Sequence, residues 1–322
     1  MDSVISKTFV DTSVSLKAAG FIALANLQGI AHRTAFIGSS SFLDILFLAP
    51  GIHCQQEASD VNHGEYPTTG AMTTGYVFRV ENQATVNFLQ RVGKTGHLVT
   101  VWVHPPSPHL ESFSTDTVAH TLYIVGIAQT ITVVAALAHF RDFWALGVLA
   151  MLITARLCNV AVIKRRGVMG WKGAPEPGVN GDLFITLSQD RWVRMRGLVD
   201  DIKAVTSGQW LREESTVESF FVTTGTLLVY ASAAVALNAS TFGNSLIAYL
   251  LLSSLALLGL CNALTKTQRM FGRSIQVDGE PRHFTRRLEL VNELIKVHNR
   301  QDWAITMGLI VPKEDKLRPV II

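Results

Sequence analysis

Among the polar side chains that stand in otherwise apolar stretches, four are candidates for chemistry: His120, Arg156, Asn159 and Tyr230. Ionisable groups inside an apolar helix are costly to bury, and those that are retained commonly serve function. As a set lining one pocket they would suit the modification of a lipophilic small molecule or lipid, with Arg156 holding an anionic head group or substrate carboxylate; His120, close to a helix end, reads as interfacial. Arg156 is the sharpest of the four because it lies eight residues before Lys164, about 12 Å along a helix and too deep to reach the surface easily. The structural alternative is that Arg156 pairs with carbonyls or a tyrosine hydroxyl and fixes helix packing.

Other chemistry has little support. His53, Cys54 and His63, or His97, His104 and His109, are metal-ligand types, but no HExxH or CxxC spacing accompanies them, so they read as loop histidines and no metal is expected. GxSxG, GxxxxGK[ST] and GxGxxG do not occur, and Gly38-Ser39-Ser40-Ser41 is a weak substitute for a nucleophile turn. No cofactor is therefore expected. Cys54, Cys158 and Cys261 are odd in number and far apart, which writes no disulfide framework.

These residues need elements to hold them, and the apolar runs supply four. Residues 118–140, 143–163, 220–237 and 242–264 total 85 residues with one of the 53 charges, Arg156, while the other 237 residues carry 52. A bilayer core about 30 Å thick needs roughly 20 apolar residues of helix, so all four windows read as transmembrane helices. Arg141 and Asp142 alone separate the first pair and residues 238–241 the second, which makes two hairpins. Lys164, Arg165, Arg166 and Lys172 follow the second window, and Lys266, Arg269 and Arg273 follow the fourth. The positive-inside tendency places those ends in the cytosol, together with both termini, in the plasma membrane or endoplasmic reticulum. Asn238-Ala239-Ser240 then falls on the outer side, close to the bilayer.

Residues 1–50 read as helices at the interface or packed on the bundle, over 18–31 and 35–49, with a fifth span or re-entrant pair as the alternative; Asp44 argues against a simple span. Residues 51–65 read as a loop opening a small mixed lobe, 51–115, with strands at 75–80 and 97–103 and a helix over 82–92 ending at Gly93. The first hairpin occupies 116–166. Residues 167–218 read as a Gly/Pro loop followed by an amphipathic helix from 187 to 205, with Trp192, Met195, Val199 and Ile202 on one stripe. The second hairpin occupies 219–266, and 267–322 reads as a helix over 284–298 with a tail. Leu157-Cys158-Asn159 and Leu260-Cys261-Asn262, 103 residues apart, read either as a trace of duplication or as chance likeness among leucine-rich spans.

The sequence thus predicts a mainly α, multi-pass membrane helical bundle with a small mixed α/β cytosolic lobe. Its expected role is a membrane scaffold, adaptor or oligomeric channel-like assembly, and the alternative is a membrane-embedded enzyme using the four residues above. Its expected partners are the lipid bilayer and anionic lipid head groups, with a second copy of the chain through the small-residue run Ala231-Ser232-Ala233-Ala234. Nucleic acid is not expected, since Lys164-Arg165-Arg166 is accounted for as a topology determinant.

Overall fold

The computed structural model describes residues 16–106 and 117–311. Residues 1–15, 107–116 (with Pro108 and His109) and 312–322 lie outside the described residues. In chain order, a 3-10 segment (Leu16–Leu24) leads to α1 (Gly29–Ile37), two further 3-10 segments (Phe42–Leu46 and Ile52–Asn62), β1 (Thr68–Ala71), β2 (Val77–Arg79), α2 (Gln83–Val92) and β3 (His97–His104). The first apolar pair follows, α3 (Thr117–His139) and α4 (Phe143–Arg166), then β4 (Asn180–Leu187), β5 (Arg191–Leu198) and α5 (Val199–Thr206). The second pair is α6 (Thr216–Val235) and α7 (Thr241–Leu264), and the described chain closes with β6 (Gln268–Met270), β7 (Arg273–Val277), β8 (Arg282–His283), α8 (Arg287–His298) and α9 (Asp302–Thr306).

The four helices expected from the apolar windows are present, each long and apolar enough to cross a membrane. Their outer faces carry Ile124, Ile131, Phe220, Leu227, Leu252 and Leu260, all exposed. Such a surface suits lipid rather than water. The helices are hairpins by connection but not by packing: α4 packs chiefly on α6, and α3 on α7. The reason is that the N-terminal region is inserted between the members of each pair. Residues 16–24 pack against both α6 and α7, and residues 42–46 against both α3 and α4. Gly20 sits against Ala233 and Ala236, roughly 25 Å along α6 from its start. Gly29 touches Leu258, only about 9 Å from the other end of the bundle. Residues 20–29 therefore run along the bundle interior, and residues 42–62 dip in and return: Phe47 packs on Gly126, Gly51 on Leu27, and His53 lies 6.1 Å from the Tyr230 ring.

The small-residue run of α6 is partly spent on this arrangement, since Ser232 and Ala233 are buried and Gly20 occupies Ala233. Residues 51–65, expected as a loop, contain the returning 3-10 segment. The apolar core of the bundle is shared between spans and inserted segments, with Ile30, Phe47, Leu48 and Ile52 packed among Leu137, Leu149, Leu152, Val229 and Leu251.

At one end of the bundle all eight strands join one mixed sheet, in the order β2-β1-β4-β5-β3-β7-β6, with β8 beside the first residues of β3. Only β3 and β5 are parallel. The connection between them passes through the entire α3–α4 hairpin. Val99, Val101, Val103, Ile185, Val193 and Met195 face α2, α5, α1 and the end of α4. Leu98, Phe184 and Trp192 face the other way, under α8 and α9.

The amphipathic helix expected over 187–205 is a correction. Residues 191–198 form a strand, and the helix is confined to 199–206. Trp192 and Met195, placed on one helical stripe, lie on opposite faces of the sheet. The alternation Trp192-Val193-Arg194-Met195-Arg196 has the period of a strand, and the turn before it is made by Gln189 and Asp190 at φ 62° and 50°, the left-handed pair of a tight hairpin. Each membrane hairpin is followed by a β-hairpin and a helix, yet β5 meets β3 parallel and β7 meets it antiparallel. The two halves are thus not placed equivalently in the sheet.

Candidate functional site

Arg156 is 4% exposed and lies on the stripe of α4 that also carries Asn159 and Arg166. Its Nε donates to the carbonyl of Asp44 (3.1 Å) and its Nη1 to Oε1 of Gln55 (2.5 Å). One guanidinium thereby clamps both limbs of the inserted chain. Gln55 in turn donates to Ser40 Oγ (2.9 Å). The Asp44 carboxylate accepts the Ser41 N–H (2.8 Å) and the Tyr123 hydroxyl. Tyr123 stacks on Phe47 at 5.3 Å, and the Arg33 guanidinium stands 5.6 Å from its ring centre while Nη1 of Arg33 donates to Thr265 Oγ1 (2.9 Å).

A second branch runs toward the sheet. Gln56 donates to the carbonyl and side-chain oxygens of Asn159 (3.1 Å each) and accepts from Arg166 Nη1 (2.8 Å). Arg166 also donates to Glu214 (2.9 Å) and to the carbonyl of Arg212 (2.8 Å), and Arg212 donates to Glu218 (2.5 Å). Asn159 closes its own end by donating to Ala155 O (3.0 Å), where Gly225 lets α6 come close. Burying charges in this way is tolerable because nearly every polar atom is answered.

Of the four residues singled out, the structure brings Arg156 and Asn159 into one network. Tyr230 is half exposed on α6 beside His53, and His120 is exposed near the start of α3. Sequence reasoning missed Arg33, Asp44, Gln55, Gln56 and Tyr123 as partners. A signal existed: Arg156, Asn159 and Arg166 are spaced 3 and 7 apart, a single helical stripe, and such a stripe needs a polar partner somewhere in the chain.

Arg156 is buried, and its Nε and Nη1 donate to groups of its own chain. Among the described residues no three His, Cys, Asp or Glu side chains stand close enough to hold a metal ion, and His97 lies against His283 rather than His104. At the opposite end of the bundle, Asp142 accepts the Ala145 N–H (3.1 Å) and the N–H and hydroxyl of Ser240 (3.1 and 2.6 Å), tying the two tight turns together. Burial opposes its charge, but the hydrogen bonds from Ser240 and Ala145 outweigh it and hold the carboxyl below its ordinary value.

Comparison with protein families, with curated proteins and with solved structures finds no match to this chain.

Proposed function

We propose that this chain is a membrane scaffold or adaptor that holds a mixed sheet against the cytosolic face of a bilayer, and that Arg156 serves framework rather than catalysis. The observation that carries the reading is the closure of the Arg156 site by Asp44 and Gln55 of the same chain. A channel-like assembly fits less well, since the inserted segments fill the bundle interior. Orientation rests on charge: Lys164, Arg165, Lys266 and Arg269 cluster at the sheet end, against Arg141 alone at the opposite turns. With Gly20 toward the tight turns and the sheet at the other end, the proposal has the described chain enter from the side of the tight turns, an arrangement different from two cytosolic termini.

The test compares Arg156→Met and Tyr230→Phe in cells that depend on the protein. As framework, Arg156→Met lowers protein level and phenotype in proportion, and Tyr230→Phe changes neither. A Tyr230→Phe protein made at the normal level but with an altered lipid or metabolite profile overturns the reading. That outcome would favour a membrane-embedded enzyme, for which one observation speaks: His53 Nδ1 is buried without a partner beside the half-exposed Tyr230. Self-association through the exposed Ala231 and Ala234 belongs to the same proposal. Light scattering that gives a monomer in several mild detergents would remove it.

A further inference from the structure

Beside the bundle end, the β4–β5 turn, α2 and the end of the returning 3-10 segment enclose an open cavity of about 630 Å³. It is lined by His63, Glu65, Asn87, Arg91, Gln189 and Arg191, among others. Glu65 is its one carboxylate, and both of its oxygens are engaged: Oε1 accepts the Ser188 N–H and Oε2 accepts Gln90 Nε2 (2.6 Å each). Arg191 stands 3.8 Å from it. Arg91 and Arg191 thus line the cavity beside a carboxylate whose oxygens are both occupied. Asn87 is 7% exposed, and its amide nitrogen has no hydrogen-bond partner. A buried donor left unpaired is costly unless something answers it. Under the cavity, burial first and then the neighbouring His63 and Arg91 hold the His32 imidazole below its ordinary value, against a hydrogen bond with Asn87 that raises it.

The depth of the cavity identifies the ligand class. Arg91 lies 4.6 Å over the Phe36 ring and donates to the Ala263 carbonyl (2.7 Å) in the last turn of α7. The apolar run of α7 ends at Leu264, and the phosphate layer of a bilayer begins where the hydrocarbon ends. We propose that this cavity binds the phosphate ester of an anionic phospholipid head group, with Asn87 and Arg91 as donors and Arg191 shielding Glu65. Its volume suits a whole head group rather than a bare phosphate.

The proposal rests on the membrane reading above, and the experiment separates the two. The full-length protein is placed in nanodiscs of phosphatidylcholine with or without phosphatidylinositol, and lipid adducts are counted by native mass spectrometry. The expected result is a retained phosphatidylinositol adduct that falls about tenfold in Asn87→Asp and in Gln189→Glu, each of which adds a negative charge. Gln189 is an exposed turn residue, so that variant folds even if Asn87→Asp does not. Equal retention in both variants and the parent overturns the site. Saturation by glycerophosphoinositol or inorganic phosphate, with the same variant dependence and no lipid adduct, rejects the lipid source. A protein that washes off membranes at alkaline pH fails the membrane reading, whereas one that stays and retains no adduct fails this site alone.

Discussion

At the residue scale the protein turns on one buried cation. Arg156 donates to a backbone carbonyl and a glutamine oxygen and stands in the field of the buried Asp44 carboxylate, so its removal leaves two acceptors unanswered and a buried carboxylate without its cation. Arg156→Met is expected to cost about 3–5 kcal/mol, the range for breaking a buried charged contact, read as a lowered melting temperature of the detergent-solubilised protein. Arg156→Lys is expected to recover only part of that, because an ammonium lacks the fork that reaches Asp44 and Gln55 together. Asp142 gives a pH dependence of definite sign. A carboxyl held below its unfolded value of 3.8 stabilises the fold above that pH, and the contribution is lost as pH falls through the lower folded value. Asp142→Asn should flatten the melting-temperature curve on the acid side. A curve that stays as steep as the parent's would remove Asp142 as its cause.

At the element scale the inserted N-terminal region decides how the helices pair. Gly51 has φ +91° and lies against the Leu27 backbone, a conformation and a closeness that no side chain tolerates well. Gly51→Ala is expected to destabilise by more than 1 kcal/mol through both effects, measured by thermal unfolding; an unchanged melting temperature would mean that the two limbs do not meet there. The four long helices were legible because hydrophobicity sums along a contiguous window and needs no knowledge of neighbours. The 3-10 segments were not: residues 52–62 are mixed in polarity, and only contact with α1, α2, α4 and α6 makes Gln55 and Gln56 core residues. Strand β5 was misread for a related reason. Its Trp192 and Met195 serve two different cores on the two faces of the sheet, and their spacing with Val199 and Ile202 of α5 mimics one helical stripe.

At the scale of the whole molecule, bundle and sheet are interleaved rather than sequential. The sheet takes strands from before, between and after the two hairpins, and its parallel β3–β5 pair closes only once the α3–α4 hairpin is in place. Topology is the prediction at this scale. Maleimide labelling of single cysteines in sealed vesicles, in a variant with Cys54, Cys158 and Cys261 replaced, should place position 2 on the side of Asn238 and position 280 on the other. Labelling of 2 and 280 from the same side would mean that residues 20–29 enter and leave the bundle without crossing it.

The amino-acid sequence by itself determined the number and limits of the long apolar helices, the tight turns between them and the basic ends, because these depend on local composition. Tertiary structure decided which chain segments fill the bundle, which strands share the sheet and what answers Arg156. Those outcomes depend on hydrogen bonds between residues far apart in the chain, 101 positions for Arg156 with Gln55 and 103 for Gln56 with Asn159, and no local pattern encodes which distant amide will meet a buried guanidinium.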